Sequence, residues 1–139
     1  MSNEITADIV VIGGGSGGLS VAAGASQMGA EVVLLEKAKM GGDCLNYGCV
    51  PSKAMIAAAH AAHAVRRAGR FGIAAAEPAI DFEKVHDHVH GVIGAIAPHD
   101  SVERFEGLGV RVIQEHGKFV GPNRVQAGDT VITAKRVVI

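Results

Sequence analysis

Cys44 and Cys49, the only two cysteines of the chain, stand five residues apart in the run Gly41-Gly42-Asp43-Cys44-Leu45-Asn46-Tyr47-Gly48-Cys49-Val50-Pro51-Ser52-Lys53. Tetrahedral zinc wants four ligands, and no further cysteine exists to help complete such a site. As a staple, so short a loop contributes about 2 kcal/mol in the chain-entropy model. A reversible disulfide at the mouth of a helix uses every residue of the run, with a structural bridge and a metal site open as alternatives. Pro51 suits a first helical turn, where its missing N–H costs nothing, so the spacing predicts a helix from about Val50 through the alanine-rich stretch to Ala68. Cys49 then lies just before a helix N-terminus, where the macrodipole and unpaired N–H groups favour a thiolate. Lys53, one turn in, adds positive charge. Positions i and i+5 share no helix face, so the sulfurs meet only across a distorted backbone. Asn46 and Gly48 are expected to supply the distortion through left-handed conformations.

These residues need elements to hold them. Upstream, Asp8-Ile9-Val10-Val11-Ile12 reads as a buried parallel strand, and Gly13-x-Gly15-x-x-Gly18 follows it directly. Leu19 to Met28 reads as a helix of small residues, and Glu31 to Glu36 as a second strand, which makes a βαβ unit. In that context the first glycine allows a tight turn, the second lets a pyrophosphate approach the backbone, and the third packs helix on strand. Glu36, 18 residues after Gly18, can accept hydrogen bonds from a ribose diol and disfavours a 2′-phosphate. A glycine-rich packing turn is the alternative, and these residues alone do not separate NAD from FAD.

The whole chain of 139 residues bounds the answer further. A net charge of −1 gives no footprint for nucleic acid or an anionic membrane. The polar, acidic start from Met1 to Asp8 lacks a basic leader, and Ile9 to Ile12 is too short to span a bilayer, so a cytoplasmic protein is expected. A disulfide in that compartment is more often catalytic than structural. Arg66, Arg67 and Arg70 complement the end of the first long helix, and Phe71 to Ala79 reads as a loop. Asp81 reads as the N-cap of a second helix running to about Ala97, followed by Pro98 and one short helical turn within His99 to Glu106. Short strands are predicted at Val110 to Gln114, Lys118 to Val120, Arg124 to Gln126, Val131 to Thr133 and Arg136 to Ile139. The fold class expected is α/β, a Rossmann-like domain with a parallel sheet plus a small antiparallel β segment. Because Lys135 to Ile139 stops inside an apolar strand, a truncated longer chain is expected. His86 and His90, and His60 and His63, share helix faces, but neither pair has a third ligand in register, so no metal site is expected.

The nucleotide unit, followed by Gly41-Gly42-Asp43-Cys44-x4-Cys49-Val-Pro-Ser-Lys53, resembles the N-terminal part of the class I pyridine nucleotide-disulfide oxidoreductases. That family includes dihydrolipoamide dehydrogenase, glutathione reductase and mercuric reductase. The resemblance covers essentially the whole chain. It implies a non-covalent FAD, with Gly13, Gly15, Ser16, Gly17 and Gly18 near the pyrophosphate, Glu36 on the adenosine ribose, and Lys37, Gly42 and Asp43 in the binding set. It also implies His116 and Gly117 near the adenine. Cys49 is then the thiol beside the flavin in the charge-transfer pair, Cys44 the interchange thiol, and Lys53 a group that tunes the flavin.

By the same resemblance, NAD(P)H is the co-substrate and the partner is a disulfide, dithiol or metal ion, with lipoamide-type members running in reverse. A homodimer without nucleic-acid or membrane partners is implied. The chain departs from the pattern at Asp43, where many members carry a small hydroxyl residue, and at Tyr47, which is larger than usual and leaves the substrate class open. Residues 1–139 are expected to be the N-terminal portion of an FAD/NAD(P)-binding domain, inactive without a nicotinamide domain and an interface domain. A stand-alone dinucleotide-binding or thiol-redox module is the alternative.

Overall fold

The computed structural model describes residues 3–139. In chain order its elements are β1 Asn3–Ile12, α1 Ser16–Gln27, β2 Val32–Leu35, α2 Gly42–Asn46, α3 Cys49–Arg66, α4 Phe82–Ile96, α5 Val102–Gly107, β3 Arg111–Ile113, β4 Gly117–Gly121, β5 Arg124–Ala127 and β6 Thr130–Val138. The strands form one sheet in the order β3-β2-β1-β6-β5-β4. β3, β2, β1 and β6 run parallel, whereas β4 and β5 add an antiparallel segment at the β6 edge. This is the α/β class and mixed sheet expected from the residues.

Strand β1 holds the middle because its apolar residues are wanted on both faces. Val10 packs with Val33 and Leu35 on one face, in a cluster with Val125 and Ala127 of β5 and Ile132 of β6. Its neighbour Val11 points the other way, into a cluster with Leu34, Leu19 and Ala22 of α1, Phe105 of α5 and Val110. Both valines are 0% exposed, the signature of a parallel strand covered twice. The chain first builds outward from β1 to β2 and β3, then returns to place β6 on the other side. A crevice for a ligand opens at the carboxyl end of β1, where the direction of winding reverses.

Several boundaries differ from the sequence reading, each for a physical reason. β1 starts at Asn3, not Asp8, because its polar half pairs in register with β6 from Asn3 opposite Thr130 onward. Asp8 accepts a hydrogen bond from Lys135 Nζ across that pairing (2.6 Å). That bond and one from the Glu31 amide hold the Asp8 carboxyl below its usual value, and the same contact raises Lys135. The two strands predicted at Val131 to Thr133 and Arg136 to Ile139 are one strand, β6, since β1 pairs along nearly all of it. α1 begins at Ser16, earlier than expected, and α2 was not foreseen. The Asp81 cap is as read, its carboxylate accepting from the Lys84 amide at 3.2 Å. Ser101 caps α5 in the same way.

α3 and α4 pack mainly on each other and on α2. Much of α3 faces outward, with Ala54 its one buried residue among those described. Among the described residues no helix is long and apolar enough to cross a membrane. Phe105 is the largest fully buried side chain and joins α5 to the sheet. Phe105→Ala should therefore lower unfolding free energy by about 3–5 kcal/mol in urea titrations followed by circular dichroism.

Candidate functional site

The site begins where β1 ends. Gly13 donates its N–H to Leu35 O (2.8 Å), which ties the start of the glycine loop to β2. At Gly18 a Cβ would stand 1.9 Å from Gly13 O, so helix α1 can lie this close to the loop only with glycine there. Glu36 follows directly on β2 and is nearly buried, at 8% exposed. Its Oε2 accepts the Gly14 N–H (2.6 Å) and its Oε1 the Ala38 N–H (2.7 Å). An ionised carboxylate offers about four acceptor positions, so two remain for a diol after these bonds.

Gly13, Glu36, Lys37, His116 and Gly117 line a single cavity of about 210 Å³, together with Ile12, Leu35 and Glu115. The sequence brings these five forward from separate motifs, and the fold puts them on one wall. The N-terminus of α1 carries no side-chain cap, and Cβ atoms at Gly13 or Gly17 would meet only open space. An uncapped helix start beside a bare glycine loop is where a diphosphate is accepted. The residues present therefore fit a dinucleotide. Ser16 and Gly17 open α1 on its exposed side, and Ser16 also lines a separate cavity facing Asp100 and Arg104.

The cysteine segment docks on this loop chiefly through backbone, with the Met40 sulfur beside Gly14. Gly41 donates its N–H to Gly14 O at 2.8 Å. Gly42 sits so close that a Cβ there would come within 2.7 Å of Gly15 Cα. Both glycines are left-handed, with φ of +86° at Gly41 and +56° at Gly42. α2 then carries Cys44, and α3 starts at Cys49. Among the described residues no non-glycine has positive φ, so Asn46 does not supply the expected left-handed turn. Gly48 is not left-handed either. It sits at φ −117° and ψ −102°, and this break between two helices lets the sulfurs meet.

Both cysteines are free thiols, Cys44 half-buried and Cys49 exposed. The neighbouring Cys49 thiol, burial and the Cys49 charge push the Cys44 thiol above its ordinary value, while the Cys49 backbone and the Lys53 charge act the other way. Lys53 stands one turn into α3 from Cys49. Asp43 is exposed in the first turn of α2, and no hydrogen bond to its carboxylate is seen among the described residues. Tyr47 is exposed, with Lys39 Nζ 5.5 Å above its ring. The His86 and His90 rings lie 4.1 Å apart, and among the described residues no three potential ligands gather around a metal.

Sequence reasoning gave Gly14 and Gly41 no site role of their own and gave Asn46 a different one. The Gly41-Gly42 pair was the available signal, since two adjacent glycines before a short polar run permit a left-handed turn and a close approach. The Asn46 amide donates to Met40 O (3.1 Å) and Gly42 O (2.9 Å), a role that no spacing rule foretells.

Residues 7–139 match the family model described as pyridine nucleotide-disulphide oxidoreductase. The dihydrolipoyl dehydrogenase of Bacillus subtilis (strain 168) is 35% identical over 116 residues, which are 84% of this chain and 24% of that protein. That of Vibrio cholerae is 34% identical across 100% of this chain and 30% of its own length. The mercuric reductase of Streptomyces lividans is 50% identical over 76 residues, 54% of this chain and 16% of that protein. The chain thus spans about a quarter of the length of the curated relatives it matches.

Two outcomes follow from the geometry. Gly42→Ala, which combines positive φ with a clash against Gly15, should weaken dinucleotide binding at least about tenfold and lower stability by about 1–3 kcal/mol, read by calorimetry and urea unfolding. Cys49→Ala removes the largest cause of the Cys44 shift, so thiolate absorbance at 240 nm should place Cys44 lower in this variant than in the wild type.

Proposed function

The chain belongs to the pyridine nucleotide-disulphide oxidoreductase family, and from that premise we propose that it is the FAD-binding part of a flavin-dependent disulfide oxidoreductase. The whole protein moves an electron pair between NAD(P)H and an external disulfide, dithiol or metal ion by way of the Cys44–Cys49 pair. Residues 1–139 are the N-terminal portion of its FAD/NAD(P)-binding domain, and the nicotinamide and interface domains lie elsewhere in a cytoplasmic homodimer. The observation that carries this reading is the docking of the thiol segment on the glycine loop, Gly41 N–H on Gly14 O at 2.8 Å. A cofactor cradle and a redox pair that share one backbone contact are built to work on the same electrons.

Residues divide the work by chemistry. Gly13, Gly15, Ser16, Gly17 and Gly18 would hold the diphosphate with backbone N–H groups and the dipole of α1. Glu36, already fixed by two amides, would take the ribose diol, with Lys37, His116 and Gly117 around the adenine end. Gly42, Cys49 and Lys53 would complete the set near the reactive end, and Asp43 would join it through its backbone, its carboxylate opposing the diphosphate. Bound FAD supplies the two-electron chemistry that links the nicotinamide to the thiols. Cys49 lies on the cofactor side of the pair, and Cys44 exchanges with the external partner as a thiolate. Lys53 places positive charge where a thiolate develops.

Titration of the purified protein with FAD, with thiols counted before and after reduction, tests this reading. Retained flavin absorbance together with a disulfide that opens on reduction is the expected result. Protein that neither holds flavin nor closes a Cys44–Cys49 bond overturns it. Cys49→Ala should keep the flavin and lose the disulfide. Asp43→Ser, which removes an exposed carboxylate next to the diphosphate cradle, should tighten FAD binding about three- to tenfold in low salt, and less at high salt, where that repulsion is screened.

A further inference from the structure

Cys44 rides on a helix of five residues, Gly42–Asn46, far too short to be stable alone. Something must hold that turn in shape, and its ends point to the side-chain amide of Asn46. One Nδ2 group donates to two carbonyls on the far side of the turn, Met40 O (3.1 Å) and Gly42 O (2.9 Å). Those carbonyls belong to the stretch that docks on the glycine loop. Gly41 is bonded to Gly14 O, and the Met40 sulfur is 3.1 Å from where a Gly14 Cβ would stand. The next bonds along the chain continue the lock, since the amides of Tyr47 and Gly48 both donate to Asp43 O (2.9 and 2.6 Å). Cys49 follows at once, as the first residue of α3.

The structure assigns Asn46 as the positioning residue of the cysteine pair: its amide ties α2 to the stretch docked on the glycine loop and so fixes where Cys44 stands relative to Cys49. This rests on the exchange chemistry proposed above for the pair. In that chemistry the two thiols lose two protons and two electrons as the S–S bond forms, and an external disulfide takes up both and leaves as two thiols. A clamp that exists before the bond closes raises the effective concentration of one thiol at the other and makes the disulfide harder to reduce. Without it, α2 frays, Cys44 samples positions out of reach, and the pair becomes more oxidising.

The experiment is a redox titration of the protein in mixtures of reduced and oxidised glutathione, quenched with a maleimide and read as thiols per chain by mass. Asn46→Ala and Asn46→Asp should each lower the equilibrium constant for closing the disulfide about tenfold, a rise in potential of about 30 mV. Aspartate keeps the shape and packing of asparagine and removes both donated bonds. A wild-type potential in Asn46→Asp therefore overturns the clamp while leaving the redox reading intact. Wild-type protein that forms no Cys44–Cys49 disulfide overturns both. Should the variants unfold, the wild type decides: the Asn46 side-chain NH₂ should exchange slowly with deuterium in both dithiol and disulfide forms. Exchange at the rate of a free amide in either form overturns the assignment.

Discussion

The arrangement of this chain depends on one close approach of backbone to backbone, Gly42 against Gly15, with Gly41 bonded to Gly14 beside it. No side chain larger than hydrogen fits at Gly42, where even a Cβ would stand 2.7 Å from Gly15 Cα. The contact joins the glycine loop to the cysteine-bearing turn. Neither can shift against the other without breaking the main-chain bond from Gly41 to Gly14. The position of Cys44 is therefore inherited from β1 through the loop.

Rigid placement also needs a floor, and the sheet provides it. The loop leaves β1 between two covered faces, so Val10 and Val11 fix the strand from both sides. Glu36 anchors the loop from the neighbouring strand. A buried carboxylate left unpaired would cost several kcal/mol, and two backbone amides meet that cost here. The Gly14 amide belongs to the loop itself, so one side chain meets the burial rule and sets the loop's geometry together.

Motifs were legible in the sequence where their chemistry is local. The glycine spacing, Glu36, the cysteine pair and the Asp81 cap all depend on residues close in the chain. The elements missed depend on distant partners. Nothing in Asn3 to Ala7 announces a strand, because its pairing partner begins at Thr130. α2 is shorter than the span over which helical periodicity can speak. Asn46 was assigned the wrong work for a related reason. Its tolerance of left-handed φ is an intrinsic property, visible in a list of residue types, whereas its bonds to Met40 and Gly42 exist only once the glycine turn has folded. The expectation that a distorted backbone joins the sulfurs held, and Gly48 achieves it within the negative-φ region.

The two thiols are unequal because of where these contacts leave them. Cys49 opens an 18-residue helix and lies exposed, while Cys44 is half-buried on a short turn. Placing charge on Cys49 opposes charge on Cys44, and Lys53 offsets only part of that opposition. A dithiol held so closely gives up its protons in two steps that belong to the pair and not to either sulfur. The charge left when the first proton departs opposes loss of the second. Geometry that holds the pair together thus also arranges the order in which its two sulfurs can act.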